Sequence, residues 1–109
     1  MGYYRLFMGS NGAYYFSLNA ENNQVILQSE GYTAKASAEN GIESVRENSS
    51  DESQFDRRES NDDQYYFVLK ARNGEIIGTS EMYRQMAGME NGIDSVMKNG
   101  PDSPVRDET

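Results

Sequence analysis

Glu39-Asn40-Gly41-Ile42-Glu43-Ser44-Val45 returns fifty-one positions later as Glu90-Asn91-Gly92-Ile93-Asp94-Ser95-Val96, with only Glu43 changed, to Asp94. A motif rewritten at a fixed spacing marks a tandem repeat, each copy one supersecondary unit. Laid on itself at this offset without gaps, the chain is identical at about half the positions between 14–48 and 65–99. The copies divide as residues 1–51 and 52–109, with a polar tail from about 100. Units of about fifty residues rarely bury enough apolar surface to stand alone. With no Cys or His to supply a disulfide or metal staple, the copies must share one core, so 1–109 is a single domain.

The duplicated motif sits in a segment of helical period. Over 33–47 the apolar positions Ala34, Ala38, Gly41, Ile42 and Val45 fall on one stripe, and Lys35, Glu39, Glu43, Arg46 and Glu47 point away. Asn48 reads as a left-handed cap. A glycine inside a helix costs about 1 kcal/mol relative to Ala, so Gly41 on the apolar stripe asks for a close approach to the sheet. The second helix, 84–98, carries Met86, Met89, Gly92, Ile93, Val96 and Met97.

Upstream of each helix the period becomes two. Residues 3–8, 13–19 and 24–28 read as strands, separated by Asn11-Gly12 and by Glu21-Asn22-Asn23. The second copy repeats the plan with a poor strand at 54–58, then 65–70, the Asn73-Gly74 turn and 75–79. Val105 and Arg106 add a short edge strand. The fold class is α+β: two tandem strand-strand-strand-helix repeats forming one largely antiparallel sheet, with both helices on one face.

Composition excludes several functions. Eighteen acidic residues against ten basic give a net charge of −8, which opposes binding to phosphate backbones, so no nucleic-acid partner is expected. No apolar run approaches the roughly 20 residues of a spanning helix, and the amino terminus lacks the pattern of a signal peptide. The expectation is a cytoplasmic protein with no membrane partner. Without Cys or His, thiol catalysis and transition-metal sites are removed, and no cofactor is expected.

Two constellations remain. Ser29-Glu30-x-Tyr32 and Ser80-Glu81-x-Tyr83 set a carboxylate beside a hydroxyl and a phenol, so Glu30, Glu81, Tyr32 and Tyr83 are candidate catalytic residues if the copies bring them to one junction. The structural reading of the same residues prevails: Ser and Glu before a helix satisfy free backbone donors, and Tyr anchors the core. On the sheet face turned from the helices, Tyr15, Ser17, Tyr66 and Val68 offer an aromatic and polar surface for a partner or flat ligand. The acidic run Asp51-Glu52, Asp56 and Asp62-Asp63 lacks the alternating ligands of a calcium loop, and Gly9-Ser10-Asn11-Gly12 lacks the Lys and helix of a phosphate loop.

The order Tyr65-Tyr66-Phe67-x-Leu69, Asn73-Gly74-x-Ile76-Ile77, Ser80-Glu81-x-Tyr83 and Asn91-Gly92-Ile93-x-Ser95-Val96-x-x-Asn99 resembles the YegP-like family of uncharacterised bacterial proteins. The first copy spans Tyr14 to Asn48 and departs in having Asn23 where the second has Gly74. The resemblance implies a repeat of three strands, a helix and a further strand, with two copies joined in one sheet by exchange of terminal strands. It implies that single-copy members pair as dimers, so this two-copy chain is expected to be a monomer with internal pseudo-twofold symmetry. It assigns no activity and no site residue. The expected function is a small non-enzymatic binding module for a protein or small ligand; the alternative is an enzyme or accessory subunit with its site at the repeat junction.

Overall fold

The computed structural model describes residues 2–109. The first copy forms β1 (Tyr3–Met8), β2 (Tyr14–Asn19), β3 (Val25–Gln28) and α1 (Lys35–Asn48). A single 3₁₀ turn, Glu52–Gln54, leads into β4 (Phe55–Glu59), β5 (Tyr65–Lys70), β6 (Ile76–Thr79), α2 (Met86–Asn99) and β7 (Val105–Asp107). The seven strands make one sheet in the order β4-β5-β6-β3-β2-β1-β7.

Each copy is a meander of antiparallel neighbours, and the two meet where β3 runs antiparallel to β6. That seam carries one registered pair, Gln28 with Thr79. The chain leaving α1 continues into β4 beside β5, and the chain leaving α2 continues into β7, parallel to β1. Counted with the repeat whose helix it follows, each of these terminal strands lies beside the other copy, as the resemblance implied. Both helices lie on one face: α1 against β1, β2, β5 and β6, and α2 against β3 and β5. Straddling the seam, they bury Tyr4, Leu6, Phe16, Leu18, Phe67 and Leu69 with Ile42, Val45, Ile93 and Val96 in one core.

Local chemistry departs from expectation at the helix ends. Both helices begin two residues later than the pattern indicates, because Ala34 and Gln85 are extended and neither side chain caps the helix. Asn48 is not a left-handed cap. It stays helical and its amide donates to the Ser44 carbonyl at 2.8 Å, while Ser49 continues in the right-handed region. Asn99 donates to the Ser95 carbonyl in the same way. The left-handed turn residues among those described form two equivalent pairs, Gly12 (φ 82°) with Asp63 (φ 60°) and Asn23 (φ 69°) with Gly74 (φ 87°). Asparagine tolerates this conformation through its short polar side chain, so the departure at Asn23 leaves the turn intact.

The glycines of the duplicated motif have the packing role that their place on the stripe requires. A Cβ on Gly41 would stand 2.7 Å from Phe16 Cε2 and 2.8 Å from the Tyr32 hydroxyl; one on Gly92 would collide with the Tyr83 hydroxyl and stand 2.9 Å from its Cζ. Alanine at either position has to displace an aromatic ring. Gly41→Ala and Gly92→Ala are therefore expected to destabilise by about 1–3 kcal/mol despite the higher helix propensity of Ala. Denaturation midpoints measure this, and a rise for both variants would place the glycines outside the contact.

Candidate functional site

The Ser-Glu-x-Tyr segments act first on the sheet. Where β3 ends, the Ser29 hydroxyl accepts from the Phe16 N–H at 2.9 Å and donates to the Glu30 carbonyl at 2.8 Å; Ser80 does the same with Phe67, at 3.0 Å, and Glu81. These serines extend the strand ladder and do not cap the helices. One step on, Tyr32 exchanges backbone hydrogen bonds with Tyr14 at 2.8 Å, and Tyr83 with Tyr65 at 2.7 Å. The rings then turn under Gly41 and Gly92, with Tyr32 stacked on Phe16 at 6.4 Å between centroids.

Glu30 and Glu81 are exposed, and the two tyrosines are half-buried. Burial pushes the Tyr32 phenol up, with the Glu30 and Glu75 carboxylates adding to it, and burial followed by Glu81 does so for Tyr83. The four candidates do not gather at one junction. Tyr32 and Tyr83 line separate clefts related by the repeat. In the first, of about 230 Å³, Tyr32, Asn40, Gly41 and Ser44 face the Asn73 turn and Ile77 of the second copy. In the second, of about 310 Å³, Tyr83, Asn91, Gly92 and Ser95 face the Asn22 turn and Ile26 of the first.

The other sheet face has no helix on it. Opposite the core residues, the strand register lines up Asp56, Val68, Thr79, Gln28, Ser17, Arg5 and Arg106 across all seven strands. Tyr66 pairs with Arg58 on one side of this row, and Tyr15 with Phe7 on the other. Val68 is only 2% exposed, so it forms the floor of the face and offers a partner no contact. This corrects its assignment as a contact residue. Its strand neighbours Tyr66 and Lys70 are long, which alternation in the sequence alone does not weigh.

Tyr15 and Tyr66 remain half-exposed, in company the alternation did not announce. Arg5 lies over the Phe7 ring at 4.2 Å, Arg106 over the Tyr3 ring at 3.8 Å, and Phe7 stacks on Tyr15 at 5.8 Å. Arg58 and Lys70 share Asp56, at 3.1 and 3.3 Å, and Arg5 meets Glu108 at 2.8 Å. The side chains named on this face are four cations and two carboxylates, a local excess of positive charge on a chain of net charge −8. The Tyr3-Arg5-Phe7 alternation in β1 was the signal available in sequence. Among the described residues no group of three or more acidic side chains is gathered as a metal site requires, and no helix is long and apolar enough to cross a membrane.

A family described as a domain of unknown function, DUF1508, matches twice, over residues 10–56 and 60–107. The chain belongs to the DUF1508 family. Each DUF1508 unit starts in the loop before the second strand of a meander and closes on the strand after its helix, so one unit is β2-β3-α1-β4 less its last residues and the other is β5-β6-α2-β7. Among relatives, the UPF0339 protein YegP of Yersinia pestis is 48% identical over 109 residues, spanning all of this chain and 97% of that one. The solution structure of a UPF0339 protein from Shewanella oneidensis superposes with a TM-score of 0.92 at 48% identity, covering 97% of this chain and 90% of that one. The solution structure of yegP from E. coli, titled a protein of unknown function, gives 0.94 at 44% identity, covering 99% and 93%. The architecture read from the repeat is thus the family's.

The tyrosine environment yields a pH test. A raised phenol favours the neutral form in the fold, so its contribution to stability is full below the ordinary tyrosine value of about 10 and is lost as pH rises through the folded value. Because burial is the larger cause, Glu30→Gln is expected to lower the Tyr32 titration midpoint only in part, read from its ring-carbon NMR shift. A full return to the ordinary value would make Glu30 and Tyr32 a coupled pair.

Proposed function

We propose that this protein is a cytoplasmic, monomeric, non-enzymatic binding module that holds an acidic segment of a partner protein against its uncovered sheet face. The observation that carries the reading is the local reversal of charge: Arg5, Arg58, Lys70 and Arg106 are interleaved with Tyr3, Phe7, Tyr15 and Tyr66 on the face that no helix covers. Guanidinium groups spread over aromatic rings present planar donors to carboxylates while the rings give contact area at small entropic cost. Fields from exposed charges fade over about 10 Å at 0.1 M salt, so a short acidic segment feels this face more than the acidic remainder. A long polyanion reaches beyond the face and meets repulsion, which favours a protein partner over nucleic acid.

The test is an NMR titration with hexaglutamate and, separately, with a single-stranded decathymidylate. The peptide is expected to shift amides around Arg5, Tyr15, Arg58, Tyr66 and Arg106, and to bind more weakly as salt rises. Replacing both Arg5 and Arg106 by Gln is expected to weaken it by roughly fivefold, the scale of two exposed charge contacts. Shifts elsewhere, or tighter binding of the oligonucleotide, would overturn the assignment.

A further inference from the structure

We propose that the two clefts between each helix and the opposite copy's turn are equivalent sites for an uncharged carboxamide group, so that one chain holds two ligands of one class. The starting point is Asn40 and Asn91. Both are exposed, lie inside a helix, line their clefts, and make no side-chain hydrogen bond among the described residues. Asparagine is a poorer helix former than alanine, so its use at both positions, with no partner inside the fold to favour it, stands against local preference.

The other residues shared by the clefts have work within the fold. Tyr32 and Tyr83 pack under glycines, and Asn22 and Asn73 each accept a backbone N–H at 3.0 Å within their turns. Asn48 and Asn99, further along the same helix edges, bond the carbonyls of Ser44 and Ser95 at 2.8 Å. In both copies the Asn40 or Asn91 amide, like the Tyr32 or Tyr83 phenol beside it, has no hydrogen-bond partner among the described residues and opens onto the cleft.

What the clefts have in common selects the ligand. The charged member of the first, Glu75, is replaced in the second by Gln24, whereas the amide, hydroxyl and phenol recur at all three positions. A ligand read by both clefts is therefore recognised without charge. An Asn side chain offers a carbonyl and an NH₂ side by side, which a carboxamide matches with two opposed hydrogen bonds. The aliphatic wall, Ile77 or Ile26, suits the small apolar end that an acetamido or peptide group carries. Volumes of about 230 and 310 Å³ admit such a compact group, and the second cleft opens onto a neighbouring hollow of about 410 Å³ that shares Asn22, Asn91 and Ser95.

An amide-specific titration tests this on the intact, isotope-labelled chain. N-acetylglucosamine and N-acetylglycine methylamide are the two probes, and glucose is the control that keeps the sugar ring without the amide. At least one probe is expected to shift the amides of 40–44 and 91–95 together, glucose to leave both in place, and the stronger probe to identify a carbohydrate or a peptide source. Asn40→Ala is expected to weaken the first site by about tenfold and spare the second, with Asn91→Ala doing the reverse. Since alanine favours the helix, the denaturation midpoint of each variant should hold or rise, which separates lost recognition from unfolding. No shift with either probe, equal response to glucose, or unchanged shifts in both variants would overturn the proposal. The hexaglutamate titration reads the opposite sheet face, so either reading can fail alone.

Discussion

The structure depends on how closely two helix backbones lie on two aromatic pairs, Tyr32 with Phe16 and Tyr83 with Phe67. Each tyrosine is held at both ends: its backbone is bonded to the meander, and its ring is caught beneath a glycine of the helix. This sets the height of the helix over the sheet. A longer side chain at the contact would lift the helix, loosen the packing of Ile42 or Ile93 one residue on, and move Asn40 and Ser44 relative to the turn they face. Packing density in a core of this size leaves little room for such a shift to be absorbed.

The same contact explains why two half-sized units make one domain. The strand seam contributes a single registered pair, too little to bind the copies by sheet hydrogen bonds alone. The helices supply the rest by reaching over the seam. Polar contacts secure the outer strands, with Lys35 of α1 on Asp107 of β7 at 2.8 Å and Glu90 of α2 on Arg57 of β4 at 2.6 Å. Each helix thereby holds an edge strand at one side of the sheet. In the first of these pairs the Lys35 ammonium holds the Asp107 carboxyl well below the usual carboxylate range.

Much of this was legible because the repeat carries it. The poor strand at Phe55–Glu59, with Asp, Arg and Arg inside it, is recognisable only because it stands fifty-one residues after a good one. The glycines announced a close approach by breaking helix preference on the apolar stripe. Side-chain hydrogen bonding was less legible: Asn48 could close a helix in either of two ways, and Ser29 could serve helix or strand, choices made by the backbone geometry around them. The alternation that exposed Tyr15 and Tyr66 also exposed Val68, since a period of two reports the side of a sheet and not the length of neighbouring chains. The charge of the uncovered face was hidden for another reason. A net value of −8 sums over all faces, and the register that brings Arg5, Arg58 and Arg106 to one of them exists only after pairing.

The parallel pairing of β7 with β1 joins the earliest and the latest made of the seven strands described. A chain emerging from the ribosome can complete the first meander and α1, yet the outer edge of β1 stays unpaired until β7 has been made. Tyr4 awaits the same moment, because its hydroxyl donates to the carbonyl of Gly100. An open strand edge is a template for pairing with other chains, and here about 97 residues, Gly9 to Val105, are added with that edge exposed, roughly 5–20 s at 5–20 residues per second. Arg5, in the middle of β1, puts a charge on that strand during the wait, and it later meets Glu108, made just after β7.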